Sequence, residues 1–244
     1  MRILLASSEV HPYSKTGGLA DMVGALGKAL ARAGHQVGIV TPLYQGIAEK
    51  FPEIRRVDWR FDLPLGASHQ QAELWTIELA GQPTIYFIHK PAYYHRGSLY
   101  QGGGTDFPDN AERFIFFSKC VVQLARYLPW QPEIVHANDW QTGTVPALIL
   151  HQSRSEGWSH PPPVCLTIHN LAYQGVFPRN AYGLTNLPID YFHPEAAEYF
   201  GRLNCLKAGI AYADVLTTVS PRYAREITTE EFGEGLDGLL RKRQ

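Results

Sequence analysis

Six short apolar runs, at residues 3–6, 37–40, 85–88, 134–137, 164–168 and 215–219, are continuous rather than alternating, and helical spacing separates several of them. A strand with one solvated face alternates apolar and polar residues, whereas a strand buried on both faces does not. The pattern predicts an α/β fold: a Rossmann-like open, mainly parallel sheet with helices on both faces. Leu19, Val23, Leu26 and Leu30 recur at helical intervals on one face, and Gly34 is placed to end that helix. A second helix is expected from Asp109, its carboxylate capping the amide of Glu112 in a D-x-x-E arrangement, with Phe114, Phe117, Val121, Leu124 and Leu128 buried. Strand-like runs at 55–63, 71–79 and 84–89, broken by Pro64-Leu65-Gly66 and Gly81-Gln82-Pro83, predict antiparallel additions to the sheet. Residues 91–108 are rich in Gly, Tyr and Asp without a period and read as a long surface loop, a place where function often sits. No repeat or low-complexity segment interrupts the chain, which reads as one domain, residues 1–244.

Charge narrows the partners. Lys plus Arg number 22 against 23 Asp plus Glu, so no overall positive field exists to draw in nucleic acid or an anionic membrane, and neither is expected. The basic cluster Arg241-Lys242-Arg243 reads as a solvated helix end. Cys120, Cys165 and Cys205 are odd in number and far apart, which argues against a disulfide framework and a zinc site and for a reducing, cytoplasmic setting. The first apolar run is too short for a signal-peptide core or a membrane span, and a strand this close to Met1 leaves no room for a transit peptide.

In open α/β sheets ligands gather at the carboxyl ends of the strands. After the first strand comes Ser7-Ser8-Glu9-Val10-His11-Pro12-Tyr13-Ser14-Lys15-Thr16-Gly17-Gly18-Leu19-Ala20-Asp21, running into the first helix. Glycines let backbone approach a ligand, a helix N-terminus offers free amides to an anion, and Lys15 adds a charge suited to a phosphate. Gly17-Gly18 can equally make a plain strand-to-helix turn. The chain is read as carrying neither the G-x-G-x-x-G nor the G-x-x-x-x-G-K-[ST] fingerprint, and strand two ends in Thr41-Pro42 where a ribose-binding acid would stand, so a nicotinamide dehydrogenase or a P-loop ATPase fits poorly. Asp139, in His136-Ala137-Asn138-Asp139-Trp140-Gln141, can face a sugar hydroxyl or cap the helical stretch after it. His169 and Asn170 end the next strand and can bond substrate hydroxyls or their own loop. Lys15, Asp139, His169 and Ser220 all lie just beyond expected strand ends, so one crevice can hold them. Tyr93, Tyr94, His95, Arg96 and Tyr100 supply aromatic surface with polar tips, fit for packing on sugar rings or for pinning the loop.

Four stretches then carry a family resemblance: Lys15-Thr16-Gly17-Gly18-Leu19-Ala20-Asp21, residues 136–140, Thr167-Ile168-His169-Asn170-Leu171-Ala172-Tyr173-Gln174-Gly175 and Leu206-Lys207-Ala208-Gly209. Together they resemble bacterial glycogen synthases and plastid starch synthases, and the likeness runs on through Ser220-Pro221-Arg222-Tyr223 to Gly235-Leu236-Asp237-Gly238. The resemblance implies the N-terminal, acceptor-side domain of a GT-B glycosyltransferase, two Rossmann-like domains facing a cleft. It implies transfer of glucose from ADP-glucose to the non-reducing 4-hydroxyl of an α-1,4-glucan with retention, without metal or cofactor, in the cytoplasm or, after loss of a transit peptide, in a plastid. It places Lys15, Gly17 and Gly18 at the donor's phosphate and glucose, Asp21 in the same loop, His169 and Asn170 on the glucose pocket, and Asp139 and Tyr100 at positions tied to activity and substrate contact. The family's C-terminal domain supplies an Arg, a Lys and a Glu, and the chain ends at Gln244 before any such motif, so the segment alone is expected to be nearly inactive. A non-catalytic glucan-binding or regulatory module derived from this domain is the alternative.

Overall fold

The computed structural model describes residues 1–244. Eight strands form the main sheet: β1 (Arg2–Ala6), β2 (Gln36–Pro42), β3 (Arg55–Leu65), β4 (Ser68–Ile77), β5 (Thr84–His89), β6 (Ile134–Asn138), β7 (Val164–Ile168) and β8 (Val215–Thr218). Their order across the sheet is β8-β7-β6-β1-β2-β5-β4-β3. All six continuous apolar runs became the parallel strands, and β3 and β4 are the antiparallel additions, pairing with one another and with β5. The four principal helices are α1 (Gly18–Arg32), α2 (Asn110–Tyr127), α3 (Val145–Ser155) and α4 (Cys205–Tyr212).

Both faces are covered. Gly27 of α1 lies over Ile39 and Leu5, while Gly38, on the opposite face of β2, lies under Trp130 just beyond α2. Gly209 of α4 lies over Leu166, which shares that second face through the register Leu166, Ala137, Ala6 and Val40. From β1 the chain steps outward to β2, runs to the edge at β3 and returns through β4 to β5, then crosses back to β6, β7 and β8 on the other side. The reversal falls between β1 and β6, so the loops leaving those strands diverge and open a crevice there.

Local sequence explains most elements, and neighbours override the rest. α1 ends with the His35 amide on the Leu30 carbonyl, the Gly34 amide on Ala31, and Gly34 at φ +86°. The face it presses on the sheet is Ala20, Val23, Gly24 and Gly27, and the leucine stripe is only half-buried at its flank. A Cβ at Gly24 would stand 2.8 Å from the His11 carbonyl, so this helix sits too close to its loop for larger residues. α2 buries all five expected apolar residues but has no capping box: Arg96 takes the Asp109 carboxylate at 2.7 and 2.5 Å, and Glu112 accepts from the Tyr93 hydroxyl. A bidentate guanidinium outcompetes a single backbone amide for the same carboxylate. Pro64 does not break β3, because the strand is the sheet's edge and needs no amide there; the turn is Gly66-Ala67, with Gly66 at φ +61°. The expected long loop contains a short helix at Pro91–Tyr94 and a two-stranded ribbon at Gln101–Gly102 and Thr105–Asp106. The basic C-terminal cluster belongs to a helix, Asp237–Lys242, where Arg241 pairs with Asp237 at 2.8 Å and Lys242 with Glu195 at 2.9 Å. A contiguous core of 59 buried residues joins the sheet to the helices of both faces.

Candidate active site

The crevice at the strand reversal is a cleft of about 1060 Å³, walled by residues 16–19, by the 98–101 segment, by the β6 end from Asp139 to Gln141 and by the β7 end from His169 onward. Gly17 and Gly18 border it with no atom within 4 Å of where a Cβ would stand, and α1 begins at Gly17 with no side-chain cap. The first turn of α1 thus borders the cleft with the positive end of a 15-residue helix.

Asp139 sits at the junction of β6 and the 3₁₀ turn Trp140–Thr142 and is 8% exposed. Its Oδ1 accepts the His169 amide at 2.8 Å, and the Asn170 amide also bonds its carboxylate, so it ties the end of β7 to the end of β6. It caps nothing in the turn that follows. Its backbone, at φ 57° and ψ −173°, borders a region essentially reserved for glycine, at a cost on the order of 1–3 kcal/mol. Strain of this kind persists where the surroundings over-determine a residue, as the two amide bonds do here. Burial raises the Asp139 carboxyl to about 7, against the lowering effect of those amides.

His169 Nε2 lies 3.0 Å from the Asn138 Oδ1. The Asn138 amide nitrogen donates to the Ala6 and His136 carbonyls, so its oxygen is the acceptor and His169 carries its proton on Nε2, leaving Nδ1 as an acceptor. Burial pushes the His169 imidazole down to about 4 and does the same to His136 behind it, whose Nε2 is 2.6 Å from Thr167 Oγ1. Asn170 is exposed at the rim, its Oδ1 accepting the Ala172 amide at 3.0 Å.

Glu9, 3% exposed, was not singled out from the sequence, yet it knits the opposite wall. One carboxylate oxygen accepts the Thr16 amide; the other accepts Thr16 Oγ1 at 2.6 Å and the Tyr100 hydroxyl at 2.7 Å. Tyr100 also meets Ser8 Oγ at 2.7 Å, and its burial drives the phenol pKa well above its ordinary value. Tyr100 therefore locks its segment to the glycine loop.

Five expected residues stand elsewhere. Lys15 pairs with Asp21 at 2.7 Å on the outer lip, both side chains about half-exposed, and neither lines the cleft. Ser220 caps the helix Pro221–Glu226 by accepting the Tyr223 amide at 3.0 Å. Tyr93 and Tyr94 are core residues, Tyr94 fully buried, and offer no sugar platform. A G-x-G-x-x-G spacing does occur, from Gly233 to Gly238, but it follows a turn rather than a strand and opens a six-residue helix, outside the context that binds a dinucleotide.

The cleft's charge is one-sided. Glu9, Asp106 and Glu234 line it together with Asp139, whose carboxyl raised to about 7 carries only part of a charge at pH 7; no Lys or Arg does, and its histidine is neutral there. Such a wall repels a bare diphosphate and suits a neutral polyhydroxy ligand, with carboxylates to accept hydroxyl protons and the rings of Trp140, Tyr173, Phe177 and Tyr199 to cover sugar faces.

The raised Asp139 carboxyl makes a pH prediction. Between about 4 and about 7 the folded chain holds a proton there that the unfolded chain has lost, so this group's contribution to stability falls as pH rises through that window. His169 and His136, depressed in the fold, act in the opposite sense between about 4 and their ordinary value. Comparing melting curves of the parent and Asp139→Asn isolates the carboxyl: the variant should gain relative stability from pH 4 to pH 7, and parallel curves would contradict the assignment.

The sequence and the fold have counterparts in known proteins. Residues 2–242 match the model of the starch synthase catalytic domain. The glycogen synthase of Granulibacter bethesdensis is 47% identical over 247 residues and that of Syntrophotalea carbinolica 40% over 243, each match covering 100% of this chain and 50% of the relative. The solved catalytic domain of starch synthase IV from Arabidopsis thaliana, bound to ADP and acarbose, superposes with a TM-score of 0.86 at 30% identity, covering 99% of this chain and 49% of that one. The chain thus spans about half the length of the curated relatives it matches. Matching end to end in sequence and in fold, with its cleft at the strand reversal, the chain belongs to the starch synthase catalytic domain family.

Proposed function

We propose that this chain is the N-terminal, acceptor-side half of a retaining glucosyltransferase that lengthens α-1,4-glucans from ADP-glucose and works with a second, donor-binding domain. The observation that carries this reading is the cation-free, acid- and aromatic-lined cleft, which fits a glucan and leaves the donor's phosphates in need of positive charge from elsewhere. Part of that charge is at hand: the uncapped α1 N-terminus, with Gly17 and Gly18 leaving space for close approach, and Lys15, which exchanges Asp21 for the diphosphate when donor arrives. The rest falls to the Arg and Lys of the second domain, whose Glu completes the donor site. The relative from Arabidopsis thaliana was solved bound to ADP and acarbose.

In the reaction the bond from the glucosyl C1 to the diphosphate oxygen breaks and a bond from C1 to the acceptor O4 forms on the same face. The O4 proton passes to the departing diphosphate, whose growing charge the cationic groups stabilise. Within this half, Asp139 holds the His169 segment so that its backbone carbonyl faces the developing oxocarbenium ion, and His169 Nδ1 and Asn170 bond the glucose hydroxyls. Glu9 and Tyr100 keep the glycine loop at a fixed distance from the opposite wall. No metal or cofactor enters, and the setting is the cytoplasm.

The test joins this chain to the second half of the Granulibacter bethesdensis glycogen synthase. The chain alone should not extend a maltooligosaccharide from ADP-glucose, the fusion should, and Lys15→Ala should abolish the gain. Full extension by the chain alone would refute the two-domain reading, and a folded but inactive fusion would favour a non-catalytic glucan-binding module.

A further inference from the structure

Gln141 stands in the 3₁₀ turn beside Asp139, with its backbone carbonyl accepting Ser118 Oγ at 3.2 Å, so the turn is pinned to α2. Gln141 borders the cleft while being only 6% exposed. Its Oε1 is buried and accepts no hydrogen bond. That sets it apart from its neighbours on the cleft wall: both Glu9 oxygens, the Tyr100 hydroxyl, His169 Nε2 and Asn170 Oδ1 all have partners within the chain. Buried polar atoms almost always find partners in the fold, so an orphan on a binding wall is provided for by what binds.

We infer that Gln141 is a further substrate-binding residue, its amide oxygen accepting a hydroxyl of a glucosyl unit held against Trp140. This rests on the glucosyltransferase reading for the identity of the bearer. A hydroxyl fits the place: it donates without bringing charge, and the partly exposed Trp140 beside it adds apolar surface at the cleft wall. The hydroxyl can belong to the acceptor's terminal residue or to the donor's glucose, which share this chemistry.

Gln141→Met removes the amide at nearly constant length. Because it replaces a buried unpaired polar atom by an apolar one, the melting midpoint should hold or rise. Maltooligosaccharide and ADP-glucose are titrated separately into parent and variant, and one of the two affinities should weaken about five- to tenfold, the loss of one neutral hydrogen bond. Loss in the maltooligosaccharide arm assigns the hydroxyl to the acceptor, and loss in the ADP-glucose arm assigns it to the donor. Unchanged affinity in both arms with an intact melting transition would overturn the inference and leave the glucosyltransferase reading standing. A parent chain that binds neither ligand would sink that reading, and this one with it.

Discussion

Asp139→Gly in the two-half fusion should cut glucan extension about a hundredfold while leaving the melting midpoint near that of the parent. A displacement of about an ångström at reacting groups is enough for a loss of that size. The carboxylate anchors the amides of His169 and Asn170, so without it the end of β7 loses the tie that holds the carbonyl proposed to face the sugar. Stability is spared because the lost bonds are offset by two gains: glycine takes φ 57° and ψ −173° without strain, and a buried carboxyl raised to about 7 is removed. Asp139→Ala should be as inactive and less stable, since alanine keeps the strain and lacks the bonds. If the glycine variant keeps activity within a few-fold of the parent, Asp139 is a structural residue and the site is misassigned.

Arg113→Met should produce the largest loss of stability, about 4 kcal/mol, or roughly 10 °C in melting midpoint for a domain of this size. Arg113 is fully buried in α2 with no carboxylate in contact. Its Nε donates to the Tyr93 carbonyl at 2.8 Å, Nη1 to Asn110 Oδ1 at 2.7 Å and Nη2 to the Leu99 carbonyl at 2.9 Å, while the rings of Tyr94, Phe107 and Phe114 surround the guanidinium. Burial lowers its pKa, yet not far enough to discharge a guanidinium. Methionine fills the space and strands three acceptors. Arg113→Lys should rescue little, because an ammonium cannot reproduce a planar fork aimed at three points. Two of those acceptors lie on the segment that ends in Tyr100, so the variant should also weaken glucan binding through the Tyr100–Glu9 contact. A shift below about 2 °C would contradict this role for Arg113.

The sheet was legible because a continuous apolar run has few places to go, and strand-end logic then led to the glycine loop, Asp139 and His169. What it missed depends on partners distant in sequence. Spacing marked the leucines of α1, but which face meets the sheet was decided by Gly24 and Gly27, where only small residues allow contact with the His11 carbonyl and Ile39. Asp109 had the local signature of a cap, and Arg96 took it. Tyr93 and Tyr94 were indistinguishable from surface tyrosines until the short helix at 91–94 turned them inward over α2. Glu9 was passed over because its three donors come from Thr16 and Tyr100, and only the fold brings position 100 beside position 9. Lys15 was read as a phosphate contact, yet its partner in the structure is Asp21, six residues on in the same motif, and it stands outside the cleft lining.

The central claim is that this half holds the neutral glucan and leaves most of the diphosphate's charge to groups outside its cleft. Calorimetric titration of the 244-residue chain with a maltooligosaccharide and, separately, with ADP-glucose tests it most directly. The account predicts measurable glucan binding and weaker binding of ADP-glucose, the latter lost in Lys15→Ala. Tighter binding of ADP-glucose than of glucan, undiminished by Lys15→Ala, would contradict it.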